Sequence, residues 1–94
     1  MKIKVEYFTI LRNVTGINSE DLDVADDSSI QDILDVVVGK YGDPIERILL
    51  SGKDYTGLKV LFLIDGQNCD ALEGLQTKLA DGSVLSIVPP LSGG

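Results

Sequence analysis

Asp26-Asp27-Ser28-Ser29-Ile30-Gln31-Asp32-Ile33-Leu34-Asp35-Val36-Val37-Val38-Gly39-Lys40-Tyr41 reads as one amphipathic helix, and the rest of the chain is arranged around it. Ile30, Ile33, Leu34, Val37, Val38 and Tyr41 recur at spacings of three and four, which gathers them on one broad apolar face. Ser28 with Gln31 three residues on has the form of a capping box, and the acids around it suit the positive end of the helix dipole. The pattern predicts a helix from about Ser28 to Tyr41. Gly39 and Gly42 weaken and stop it, and Asp43-Pro44 bars its continuation.

Working outward toward the N-terminus, the chain alternates. Ile3, Val5 and Tyr7 fall on one face of a period-2 strand, and Lys2, Lys4, Glu6 and Phe8 on the other. The first set should face the helix, which leaves Phe8 among charges. Asn13, Gly16 and Asn18 are loop formers, although Leu11, Val14 and Ile17 could support a turn of helix. Glu20 to Val24 alternates again, with Leu22 and Val24 inward, so these two strands fit an antiparallel hairpin with a long loop.

Toward the C-terminus, Pro44 can open a short second helix carrying Ile45, Ile48 and Leu49, and Ser51 to Gly57 is a polar loop. Lys59 to Ile64 is apolar on both faces, the mark of a central strand. Asp65-Gly66 is a two-residue hairpin signal, with residues 67–70 as the returning strand. Ala71 to Leu79 should be a turn of helix plus loop anchored by Leu72, Leu75 and Leu79. Asp81-Gly82 turns into a last strand, Ser83 to Val88. Strands in this order around one main helix predict an α+β fold, a mixed sheet of four or five strands with its helices on one face.

Composition removes whole classes of function. The chain has 94 residues, enough for one domain. Fifteen acids against eight bases give a net charge of −7, which phosphate backbones repel, so nucleic acid is not expected as a direct partner and basic protein faces are favoured. There is no histidine, which removes Ser-His and Cys-His catalysis and His-ligated metals. One cysteine, Cys69, cannot form an internal disulfide or a metal cluster alone. The longest apolar run, Val60 to Ile64, is far too short to span a bilayer, and Met1 to Glu6 does not have the pattern of a signal peptide. The expectation is a cytoplasmic protein with no membrane association.

The end of the chain is unusual. No charged side chain follows Asp81, and the sequence closes on Ile87-Val88-Pro89-Pro90-Leu91-Ser92-Gly93-Gly94. Pro89-Pro90 must end the strand and hold an extended course. The glycines at the tip have no Cβ, so they can enter a channel that any other residue would block. Residues 1–88 are thus expected to form the domain, and 89–94 an extended arm of at most about 20 Å.

That ending, on a chain with this element order, resembles the MoaD family, the small subunits of molybdopterin synthase. These are ubiquitin-like β-grasp sulfur carriers with two bulky apolar residues, Pro-Pro, two variable residues and Gly-Gly at the C-terminus. Lys4-Val5-Glu6-Tyr7-Phe8 also matches the family's opening strand. The chain is longer than the typical small subunit, with the surplus between Tyr41 and Leu58, and Ile87-Val88 stands where the family has an aromatic pair.

The resemblance implies a division of labour. A carboxylate is ionised at pH 7 and is a poor electrophile. In the family an ATP-using adenylating enzyme therefore activates Gly94, and sulfur then displaces AMP to leave a terminal thiocarboxylate. Gly93 lets the arm thread. The synthase large subunit holds the pterin precursor and supplies the catalytic groups. The chain would then be no enzyme on its own and bind no cofactor, ATP being consumed by its partner. Alternatives that use the same activated glycine are conjugation to lysines of other proteins and sulfur delivery to tRNA or thiamine.

Strand parity adds a docking surface. With Lys59 outward, Leu61 and Leu63 share its face. Val84, Ser86 and Val88 face outward while Leu85 and Ile87 face the helix. Phe8, Leu61 and Val88, with Pro89, Pro90, Leu91 and Ser92 of the arm, are the expected partner contacts. The acids between Glu20 and Asp35 lack the register of a calcium loop and are expected to cap the helix and solvate a strand. Cys69 has no basic sequence neighbour to lower its pKa and is expected to act as a small apolar residue.

Overall fold

A computed structural model describes residues 1–51 and 60–89. Elements follow in the order β1 (Lys2–Tyr7), α1 (Ile10–Thr15), β2 (Ser19–Asp23), α2 (Ile30–Tyr41), α3 (Asp43–Ser51), β3 (Leu61–Ile64), β4 (Gln67–Asn68), two 3₁₀ turns (Cys69–Ala71 and Gly74–Gln76) and β5 (Val84–Val88). They form one mixed sheet ordered β2-β1-β5-β3-β4. β1 runs parallel to β5, and the other pairings are antiparallel.

The core lies between the sheet and the helices. Ile3, Val5 and Tyr7 of β1, Leu22 of β2, and Leu85 and Ile87 of β5 are buried on the inner face. Ile30, Ile33, Leu34 and Val37 of α2 meet them from above, joined by Leu11, Ile45 and Leu49. Alternation therefore assigned these faces correctly, because a half-covered sheet separates apolar from polar side chains with period 2. The Asp65-Gly66 hairpin is present, with Leu63 opposite Asn68, Ile64 opposite Gln67, and φ of 49° and 86° at its two central residues. Two positive φ values in succession mark the primed turn whose twist matches the strands.

Three expectations change. The capping box sits one residue later: the Asp32 amide donates to Ser29 Oγ (3.2 Å) and the Ser29 amide to Asp32 Oδ2 (2.9 Å). Ser28 instead donates its hydroxyl to the Ala25 carbonyl at 2.7 Å. The middle of the sheet is β5, since β3 is followed by only the two-residue β4. Leu72 is 42% exposed, whereas Leu79 is buried and Leu75 packs on the core, so only the latter two anchor the 71–79 segment. Residues 10–15 take the helical turn that Leu11 and Val14 allow, with Leu11 inserted into the core.

Lys59, most of the surplus before Leu58, and the residues Pro90, Leu91, Ser92, Gly93 and Gly94 lie outside the described residues.

Candidate functional site

The last strand delivers the chain to its ending through the centre of the sheet, so its two neighbours fix what surrounds the root of the arm. Leu61 pairs with Val88 across β3 and β5, and Tyr7 pairs with Ile87 across β1 and β5. Continuing the parallel register by one residue brings Phe8 beside Val88, and the Phe8 amide donates to the Ile87 carbonyl at 3.3 Å. Phe8, Val88 and Leu61 thus form one apolar row across three strands on the outer face. Phe8 is 36% and Leu61 37% exposed, and Val88 between them is half-buried. Pro89 is buried, so the first residue of the expected arm belongs to the packed domain.

The outer face changes character away from this row. The next row carries Ser19, Glu6, Ser86 and Leu63, where the Ser86 hydroxyl donates to Glu6 Oε1 at 2.9 Å. Beyond it Lys4 stands opposite Asp21, and Lys2 opposite Asp23. The face is therefore apolar at the end where the chain leaves and charged at the other. Charges at the far end keep the sheet soluble, while an apolar row at the exit offers desolvation energy to a partner.

Thr9, immediately after Phe8, was not singled out by its sequence. Its backbone has φ 52° and ψ −128°, a region costly for a β-branched residue, and its Oγ1 is buried with no hydrogen-bond partner among the described residues. Both features sit at the corner where β1 gives way to α1, next to the apolar row. No local signal marks positive φ at a threonine, so only the structure could find it.

A second polar cluster ties the opposite edge together. Glu20 of β2 accepts at Oε2 from the Tyr7 and Tyr41 hydroxyls, each at 2.6 Å, and at Oε1 from Lys40. The two rings meet edge to face with centroids 6.0 Å apart. Burial pushes the Glu20 carboxyl up, but the hydrogen bonds from Lys40, Tyr41 and Tyr7 outweigh it and hold the group below its ordinary value. Burial, and then the bond to Glu20, raise the Tyr7 and Tyr41 hydroxyls, so both stay protonated as donors. Every member is satisfied, which makes this a structural clamp joining β1, β2 and α2.

Cys69 is buried, with Sγ 3.9 Å from Asp70 Oδ1. Among the described residues no group of three or more acids, cysteines or histidines could hold a metal, and no helix is long and apolar enough to cross a membrane.

Comparison with known proteins bears on the whole chain. The model of the ThiS family matches residues 5–94. Small archaeal modifier protein 3 of Haloferax volcanii is 30% identical over 94 residues, covering all of both chains. The molybdopterin synthase sulfur carrier subunit of Chlamydomonas reinhardtii is 28% identical over 98 residues, again end to end. The solution structure of small archaeal modifier protein 1 from Methanosarcina acetivorans superimposes with a TM-score of 0.79 at 29% identity, over 99% of this chain and 96% of that one. The fold is the ubiquitin-like β-grasp. End-to-end coverage of these relatives also means that the length between Tyr41 and Leu58 does not set this chain apart from them.

Proposed function

This chain belongs to the ThiS family of ubiquitin-like carriers, and we propose that it is a sulfur carrier of the molybdopterin synthase small-subunit type, working through its C-terminal glycine. The observation that carries this reading is the apolar row Phe8–Val88–Leu61, set on the strand that runs directly into Pro-Pro-x-x-Gly-Gly. A partner that docks there has the arm at hand, with no second recognition event needed. The chain supplies a surface and a reactive terminus, and the partners supply the catalytic groups.

In this reading the Gly94 carboxylate attacks the α-phosphorus of ATP in an adenylating enzyme and releases pyrophosphate. Sulfide released by a donor then attacks the acyl carbon and displaces AMP, leaving a thiocarboxylate whose sulfur is a soft nucleophile. The arm next enters a synthase large subunit and transfers sulfur to a pterin precursor. The cofactor requirement falls on the activating enzyme, and the setting is the cytoplasm.

A second reading is favoured by the identity with small archaeal modifier protein 3: the activated Gly94 is joined to lysines of other proteins. Sulfur delivery to tRNA or thiamine would use the same chemistry.

Intact mass after incubation with the cognate activating enzyme, ATP and a sulfur donor tests the shared step. One oxygen should be replaced by sulfur in the native chain. None should be replaced when Gly94 is deleted or one residue is added after it, and the folding stability of those variants should be unchanged. Gly93→Val should impair activation strongly. Sulfur found on Cys69 with Gly94 untouched would overturn the mechanism. In cells, co-purification of a synthase large subunit supports pterin thiolation, and isopeptide-linked species support the modifier reading.

A further inference from the structure

On the helical side of the sheet, away from the apolar row, α2, α3 and β3 enclose an open groove of about 310 Å³. Leu34 and Leu49 form its buried floor, and half-buried Val38 and Phe62 rise along its walls. Phe62 pairs with Ile87, whose side chain points to the core, so the groove lies on the opposite surface from Leu61 and Val88. It is small for a ligand pocket but deep enough for one or two apolar side chains.

Gly39 is the informative residue. It sits in the last turn of α2 and lines the groove, where glycine is a poorer helix former than alanine. Among the described residues nothing requires it: its φ is not positive, and a Cβ built there meets none of their atoms within 4 Å. The missing side chain leaves open space beside apolar walls, which is what close approach by another chain needs.

Charge indicates the chemistry of the occupant. Asp35 and Glu46 stand on the two helices that form the groove, and neither pairs with a cation among the described residues. Asp35 accepts from the Gln31 side chain at 3.0 Å.

We propose that this groove is a second docking surface, which takes a helical segment of a partner protein bearing leucine-like side chains flanked by lysine or arginine. Apolar side chains seat against Leu34, Val38 and Phe62, the partner backbone approaches over Gly39, and the basic groups meet Asp35 and Glu46. This is the groove mode of helix recognition. Because the tail-root face remains free, a partner bound here can hold the carrier while its arm is engaged elsewhere. The inference stands on the groove alone and is independent of the sulfur chemistry proposed for Gly94.

The test is an amide-resolved NMR titration of the full chain with a short amphipathic helical peptide of leucine and lysine. A peptide with glutamate in place of lysine serves as control. Shifts should cluster at Leu34, Val38, Gly39, Leu49 and Phe62, and the glutamate peptide should cause none. Gly39→Met, which fills the groove, should weaken binding at least about tenfold without lowering thermal stability. Gly39→Ala should weaken it less, and Asp35→Asn with Glu46→Gln should weaken it severalfold. Shifts centred on Asp21 and Asp23, or on Phe8 and Leu61, would overturn the proposal. So would unchanged affinity in Gly39→Met, or groove shifts that grow with protein concentration alone, which would assign the surface to a second copy of this chain.

Discussion

Thr9 and Glu20 show how single residues carry opposite kinds of energy in this fold. Thr9 is held at φ 52° with its hydroxyl buried and unpaired among the described residues, two unfavourable terms in one residue. Thr9→Gly removes both, at the expense of greater chain entropy in the unfolded state. Relief of about 1–3 kcal/mol of backbone strain against about 0.5–1 kcal/mol of entropy leaves a net gain of about 1 kcal/mol. The midpoint of thermal unfolding should rise by a few degrees, and an unchanged or lower midpoint would mean that the corner is not strained. Glu20 works the other way. Its carboxyl is held below the ordinary value of 4.5 in the folded chain, so it contributes stability that is present above that pH and lost as the pH falls through the folded value. Glu20→Gln should therefore destabilise by about 1–2 kcal/mol at pH 7, with the gap to the native chain closing below about pH 4.5. Urea unfolding of both proteins between pH 7 and pH 3 measures this. A gap that stays constant with pH would show that the lost interaction is not with the ionised carboxylate.

At the scale of elements, α2 decides whether the domain folds. Val37 is fully buried at the centre of the face that meets the sheet. Val37→Asp would place an unpaired charge there, at several kcal/mol against a total stability of about 5–15 kcal/mol. Cooperative unfolding should be abolished, as followed by circular dichroism during heating; a transition near the native midpoint would contradict the packing. This helix was legible because six apolar residues repeat with its own period, a signal that no local alternative imitates. Its start was less so. Ser28 and Ser29 are both competent caps, and the choice rests on which has an acceptor three residues on that can reach back, a role taken by Asp32 rather than Gln31. Which strand lies at the middle of the sheet is also hard to read from the sequence, for a physical reason. β3 looks central because it is apolar on both faces, yet Leu61 and Leu63 belong to the outer surface. β5 is central although Ser86 interrupts it, because Glu6 on β1 satisfies that hydroxyl. An apolar residue on an uncovered face reports a partner as readily as a core.

For the molecule as a whole, the parity of β1, β3 and β5 was enough to bring Phe8, Leu61 and Val88 together, whereas Thr9 and the Gly39 groove required the packed structure. The two surfaces lie on opposite sides of one small sheet, so they can be separated by mutation. Phe8 and Leu61 are the exposed ends of the apolar row, and neither is among the core side chains, so glutamate at either position should be tolerated by the fold. In a complex each would face a desolvated partner, where an introduced carboxylate is unpaired. Phe8→Glu and Leu61→Glu should each weaken binding to the activating enzyme by at least about 2 kcal/mol, the scale of a hot spot, with thermal stability close to native. Binding of the leucine-lysine peptide in the Gly39 groove should not change. Calorimetric titration of the activating enzyme with each variant reads the first effect and NMR the second. Loss of folding would assign Phe8 or Leu61 to the core. Native affinity in both variants would leave the arm as the whole of the recognition site, because a row that tolerates a buried charge at either end makes no close contact with the enzyme.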